Sequence, residues 1–217
     1  MITAVIPLKN LINAKSRLAP ILSGLERKKL VLSMLHDVLS AVKRTSFISS
    51  GLIVADNSSD DPEGISTILE PSNRGYDAAV ATAISDPRVS SSDSMLVLPG
   101  DLPLITSNDI EVFIAGAPLK GIRIAPARDG DGTNALLLTP PGLMKTRFGP
   151  GSFSRHRALG EAVAATVEII APPGLAFDID TPHDLYDFCL RDGNTTTHKY
   201  LKNSGVLDRL LKFGLLK

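Results

Sequence analysis

Three aspartates and one basic loop are the residues of this sequence best suited to chemistry. Asp101 follows the apolar run Met95-Leu96-Val97-Leu98, and Asp178 and Asp180 end the run Leu175-Ala176-Phe177. In extended chain, positions i and i+2 share a face, so Asp178 and Asp180 can converge. Hard carboxylate oxygens on strand ends suit Mg2+, which keeps several waters and shares substrate phosphates. The competing reading makes Asp178 and Asp180 a polar loop that caps the helix beginning at Thr181. Metal binding is the stronger of the two. Lys9, Lys15 and Arg17 lie in the loop after the first predicted strand. Their cationic groups could hold a triphosphate and offset charge on a leaving pyrophosphate. Taken alone, such a loop is usually solvated surface.

Two glycine-containing segments extend this set. Gly149-Pro150-Gly151-Ser152 precedes a predicted helix, where free backbone N–H groups and the helix dipole favour a phosphate or carboxylate. Ser152 is also suited to cap that helix. Arg128-Asp129-Gly130-Asp131-Gly132-Thr133-Asn134 invites a calcium-loop reading, which fails because Pro140 stands where the last acidic ligand is needed. A tight turn that lets backbone approach a ligand, or a plain hairpin turn, remains. The phosphate-loop, dinucleotide and nucleophile-elbow patterns are absent, and His36, His156, His183 and His198 lack the H-E-x-x-H spacing of a zinc site. His156 is best read as structural, close to the anion loop.

The elements that must position these groups follow from periodicity. Strands are predicted at 2–6, 51–55, 95–98, 122–125, 135–138 and 165–170. Helices are predicted over 25–43, from about 76, from Thr106, over about 153–164 and from Thr181, the last opening with a cap residue, Pro and an acid at the third position. Strands alternating with helices predict an α/β domain, with a mostly parallel, mixed sheet covered by helices on both faces. Ligands in such sheets sit beyond the carboxyl ends of the strands. No linker divides the chain, so residues 1–217 are expected to form one domain, with a Leu-rich helical tail from about Lys199.

Composition narrows the function classes. At 217 residues and 43% hydrophobic, the chain can bury a real core. Lys plus Arg and Asp plus Glu number 23 each, so no net field points to nucleic acid or a membrane as partner. The single cysteine, Cys189, excludes an internal disulfide and a thiolate metal cage. No signal-peptide pattern or membrane span is readable, and a cytoplasmic location is expected.

Together the motifs resemble the 2-phospho-L-lactate guanylyltransferase family of coenzyme F-420 biosynthesis, within the nucleotide-diphospho-sugar transferase-like fold. The resemblance runs from Ile2 to about Leu185. It is carried by Val5-Ile6-Pro7-Leu8-Lys9, Ala14-Lys15-Ser16-Arg17-Leu18, Leu98-Pro99-Gly100-Asp101-Leu102-Pro103, Gly130-Asp131-Gly132-Thr133-Asn134-Ala135, Phe148-Gly149-Pro150-Gly151-Ser152-Phe153, His156 and Asp178-Ile179-Asp180-Thr181-Pro182. It implies transfer of a guanylyl group from GTP to (2S)-2-phospholactate with release of pyrophosphate. It also implies Mg2+ on Asp101, Asp178 and Asp180, the phosphorylated acid on Thr133, Gly149 and Ser152, and nucleotide phosphates on Lys9, Lys15 and Arg17. Asp101, Lys15 and Arg17 become the catalytic candidates. Ser72-Asn73-Arg74-Gly75-Tyr76 stands where the family has Gly-Leu-Asn, with Asn73 and Gly75 as the nucleotide-binding candidates. A homodimer is implied as well. The tail's leucines could pack on a second copy or, equally well, on their own domain.

Two other readings stay open. Asp178-Ile179-Asp180 resembles a glycosyltransferase D-x-D motif, although that motif usually follows the central strand. A non-catalytic nucleotide-binding subunit is disfavoured by the three acids and the basic loop.

Overall fold

The computed structural model describes residues 1–8, 11, 14–56, 65–70 and 74–213, so the candidates Lys9 and Asn73 lie outside the described residues. Seven strands form one sheet: β1 (Ile2–Pro7), β2 (Ile48–Ala55), β3 (Ser66–Leu69), β4 (Ser94–Val97), β5 (Gly121–Pro126), β6 (Thr133–Thr139) and β7 (Thr166–Ile169). Their order is β3-β2-β1-β4-β6-β5-β7. Only β6 runs against its neighbours β4 and β5; the other pairings are parallel. The antiparallel β5–β6 pair is a hairpin, which is why a short turn at 127–132 suffices where a parallel pair would need a crossover.

Helices cover both faces. They are α1 (Gly24–Arg44), α2 (Tyr76–Ile84), α3 (Pro87–Ser90), α4 (Ser107–Ile114), α5 (Ser152–Ala162), α6 (Pro173–Ala176), α7 (Pro182–Cys189), α8 (Thr196–Lys202) and α9 (Val206–Lys212). The two-residue alternation of the strands sorts their side chains. Ala4 and Ile6 of β1 pack with Leu35 and Val38 of α1 and Phe113 of α4, whereas Val5 packs with Ala79 and Val80 of α2. Central β4 is buried along its whole length, as its unbroken apolar run predicts.

A third apolar cluster takes in part of the tail. Leu201, Val206 and Leu210 are buried with Leu30 and Met34 of α1 and Leu185 and Phe188 of α7. These three side chains therefore pack on their own domain, while Leu211 and Phe213 are exposed. Polar contacts fix the same packing. The Asp37 carboxylate accepts the N–H groups of Thr196 and Thr197 at the start of α8, at 2.7 and 2.9 Å. Arg209 donates to Glu26 in the first turn of α1. Among the described residues, no helix is long and apolar enough to cross a membrane.

Candidate active site

The site forms where β1 and β4 end. After β1, the chain turns through Lys15, whose backbone is left-handed at φ 52°, into a single 3-10 turn over Ser16–Leu18. A side chain in that region is strained, and such strain persists only where surrounding contacts over-determine it. Here the contacts belong to the Lys15 ammonium. It lies 2.5 Å from Asp101 Oδ2, in the loop after β4, and 2.5 Å from Asp180 Oδ1. Burial by itself would lower the Lys15 pKa. The two carboxylates more than compensate, so it is raised and the ammonium stays charged.

Asp180 meets Asp101 through Lys15, and Asp178 lies close enough for the charges of both to act on it, but neither comes from a strand end as the sequence predicts. Leu175 and Ala176 close the short helix α6, and both aspartates sit in the irregular segment between α6 and α7. That segment is anchored at both ends. The Thr181 hydroxyl and the Asp184 side chain form the expected reciprocal cap of α7. The Arg128 guanidinium, from the β5–β6 turn, pairs with Asp184 and Asp187 and lies 4.7 Å from the centre of the Phe177 ring. Inside the segment, the Asn134 amide of β6 donates to Asp178 Oδ1 at 3.4 Å. Burial first, then the charges of Asp101 and Asp180, push the Asp178 carboxyl up to about 6. Among the described residues, the single Lys15 ammonium is thus set against three carboxylates.

That excess is the observation bearing on metal binding. Among the described residues, no three His, Cys, Asp or Glu side chains stand together as a ready-made cage. Mg2+ does not need one, because it commonly takes one or two carboxylates and completes its shell with water and substrate phosphate. All-oxygen donors whose charges push one of their number up fit a divalent cation. The cleft is about 330 Å³, and its wall includes Lys15, Ser16, Arg17, Asp101, Asp180 and Tyr76. Arg17 is exposed at this wall. Gly75 caps α2 at φ 102°, a conformation that favours glycine. The Tyr76 hydroxyl beside it is buried without a hydrogen-bond partner. Burial, then Asp101 and Asp77, raise its pKa far above the ordinary value.

The glycine loop follows Phe148, whose ring packs 4.5 Å from that of Tyr76 in the cleft wall. Gly149 and Gly151 have φ values of 98° and 70°, and Gly151, not Ser152, is the N-cap of α5. Ser152 is the first helical residue and is buried. The α5 N-terminus has no side-chain cap, yet the Gly151 N–H is already held by Asp131 Oδ2 at 2.7 Å and the Phe153 N–H by the Asp131 carbonyl at 3.0 Å. The turn thus docks on the loop and brings Thr133 beside α5. The Thr133 hydroxyl is 3.0 Å from His156 Nδ1. The sequence places Arg128, Asp131 and Asn134 in a turn motif but gives none of them a role of its own, and it gives His156 no partner. Each acts through a contact with a segment 20 to 59 residues away, which spacing along the chain does not reveal.

A cleft at the carboxyl ends of parallel strands, floored by carboxylates and a charged lysine, is the arrangement of a nucleotidyltransferase, and the solved structures agree on the fold. A protein from Desulfovibrio desulfuricans assigned as a nucleotide-diphospho-sugar transferase superposes with a TM-score of 0.77 at 14% identity, over 96% of this chain and 97% of that one. A CMP:2-keto-3-deoxy-manno-octonic acid synthetase complexed with CTP gives 0.57 at 12% identity, over 86% and 96%. The family is settled by sequence: residues 2–209 match the model of the CofC-like guanylyl transferases, and the chain belongs to that family. A phosphoenolpyruvate guanylyltransferase from Sphaerobacter thermophilus is 37% identical over 190 residues, 84% of this chain and 89% of the relative. A 2-phospho-L-lactate guanylyltransferase from Methanoculleus marisnigri is 30% identical over 202 residues, 93% and 88% of the two chains.

Proposed function

We propose that this enzyme transfers the guanylyl group of GTP to a phosphorylated three-carbon acid and releases pyrophosphate, as a step in coenzyme F-420 biosynthesis. The observation that carries the proposal is the charged Lys15 held between Asp101 and Asp180 in the cleft wall. Phosphoenolpyruvate is the first choice of acid, because the more similar of the two relatives carries that name. The phospholactate implied by the motifs is the second, favoured by the Methanoculleus relative.

A phosphate oxygen of the acid attacks the α-phosphorus of GTP. The bond from that phosphorus to the bridging oxygen breaks, and pyrophosphate leaves with the electron pair. The second pKa of a phosphate monoester is about 6, so the nucleophile is ionised at neutral pH and needs no general base. The residues' task is to bring two anions together. Lys15 and Arg17 offset charge on the polyphosphate, and Thr133 with the Gly149–Ser152 loop receives the acid. Asp101, Asp178 and Asp180 would hold Mg2+, which supplies Lewis-acid neutralisation of the phosphates when bound. Gly75 borders the nucleotide side. A cytoplasmic location and a homodimer complete the proposal, and light scattering in solution tests the latter.

The deciding experiment incubates the purified protein with GTP, Mg2+ and each acid in turn, following pyrophosphate and identifying the product by mass spectrometry. A guanylylated acid is expected, formed fastest with phosphoenolpyruvate. No pyrophosphate with any phosphorylated acid would end the proposal.

A further inference from the structure

His156 is fully buried and its two ring nitrogens have different partners. Nε2 accepts the backbone N–H of Arg147 at 2.9 Å. A backbone N–H can only donate, so Nε2 must be the unprotonated nitrogen, and in a neutral ring Nδ1 carries the proton. Burial keeps the ring neutral, with its pKa lowered to about 4. The Nδ1 proton is therefore donated to Thr133 Oγ1, 3.0 Å away. With one lone pair of that oxygen occupied, the hydroxyl hydrogen of Thr133 is turned away from the imidazole. The ring itself cannot rotate freely, because Phe148 packs edge-on to it at 4.7 Å.

We propose that His156 is a positioning residue that makes the Thr133 hydroxyl an obligate hydrogen-bond donor to the phosphorylated acid. The inference rests on the reading that Thr133 receives the acid. It assigns to an imidazole outside the carboxylate cluster a share in acid affinity and none in nucleotide affinity. Phosphate and carboxylate oxygens both accept from such a donor, so an anion of either kind is suited to it.

Two substitutions separate the two bonds. His156→Asn keeps an amide N–H at the position of Nδ1 and loses the acceptor for Arg147. His156→Gln keeps an acceptor near Nε2 and loses the donor to Thr133. With GTP saturating, H156Q is expected to raise KM for phosphoenolpyruvate about tenfold, the size of one lost hydrogen bond, with kcat changed less than threefold. H156N should stay within about threefold of wild type. Thr133→Val should raise KM similarly, and T133V/H156Q should be no worse than T133V alone, since the imidazole acts through the hydroxyl. GTP binding measured by calorimetry should be unchanged throughout. A larger defect in H156N than in H156Q, or additive effects in the double variant, would overturn the proposal. Titration of phosphoenolpyruvate into the GTP-free protein reads the same order of affinities without turnover. It therefore separates failure of this inference from failure of the guanylyl-transfer reading: acid binding with an unaltered H156Q affinity sinks the inference alone.

Discussion

Lys15 and Asp180 stand 165 positions apart in the chain and 2.5 Å apart in the fold. Asp101 completes the bridge at the same distance. One ammonium thus joins the loop after β1, the loop after β4 and the segment before α7. It is the point where positive charge must act if two anions are to react.

Replacing Lys15 by Met should therefore lower kcat by about 10²- to 10³-fold, the usual cost of losing one preorganised electrostatic contact. Arg should not rescue it, because its planar fork cannot take the place of a compact ammonium between two carboxylates. K15M also leaves Asp101 and Asp180 facing each other without their common partner. Millimolar Mg2+ should accordingly raise the melting temperature of K15M more than that of wild type. Equal shifts in the two proteins would argue that the cation binds elsewhere.

Asp178 carries the opposite kind of strain. Its carboxyl is pushed from 3.8 up to about 6 by burial and by Asp101 and Asp180. The folded state consequently holds a proton that the unfolded chain has lost between those values. Stability from this group falls as pH rises through that window and stays low at neutral pH. His156 works in the other direction: its pKa is lowered from 6.5 to about 4, so its contribution is complete above 6.5 and is lost as pH falls towards 4. Asp178→Asn should raise the melting temperature at pH 7 by about 2–6 °C while abolishing turnover. It should also unmask the His156 loss, seen as a steeper fall of stability between pH 6.5 and 4. A D178N protein that melts lower than wild type at pH 7 would contradict the assigned strain.

How much of this was legible in the sequence follows from the range of each interaction. Local patterns read well: the apolar stripe of α1, the Thr181 cap with Asp184 at its third position, and the buried run of β4 all depend on neighbours within a few residues. The Gly-rich segment declared a turn but not its docking, because the grip of Asp131 on Gly151 is a contact across 20 residues. The strand β3 escaped, since only one of its four residues is buried and no alternation marks it. Asp180 shares Lys15 with Asp101, and the charges of both act on Asp178, but neither Asp178 nor Asp180 is the strand-end residue that the sequence predicts. The apolar run before them is α6 and its exit, a single turn too short to show helical periodicity. The tail's leucines were ambiguous for a different reason: amphipathicity states that a face is buried, not what buries it.

Arg209 gives that tail a measurable anchor. It holds Glu26, whose carboxyl is lowered from 4.5 to about 2, first by the Arg209 hydrogen bonds. The contribution is present above 4.5 and lost as pH falls through the interval to 2. The pair is partly solvent-exposed, so Arg209→Ala should cost no more than about 1 kcal/mol. Hydrogen exchange should locate the effect: amides of α9 lose protection while those of β1 and β4 keep theirs. Uniform loss across the sheet would mean that α9 is part of the global folding unit.

Tyr76 offers the reverse experiment, a group whose removal should help. Its hydroxyl is buried with no hydrogen-bond partner, while its ring packs 4.5 Å from Phe148. Of the two acids nearest in charge, Asp101 is engaged by Lys15, and Asp77 Oδ1 accepts from the Thr146 hydroxyl and the Phe148 N–H. Neither carboxylate is hydrogen-bonded to the phenol. A buried donor left unpaired costs about 1–3 kcal/mol, whereas the phenyl ring keeps the packing without that cost. Tyr76→Phe should therefore raise the unfolding free energy of the ligand-free protein by about 1 kcal/mol in denaturant titration. A loss of stability of that size would mean that the hydroxyl finds a bonded partner in solution, a bridging water above all, and that the ring position is held by it.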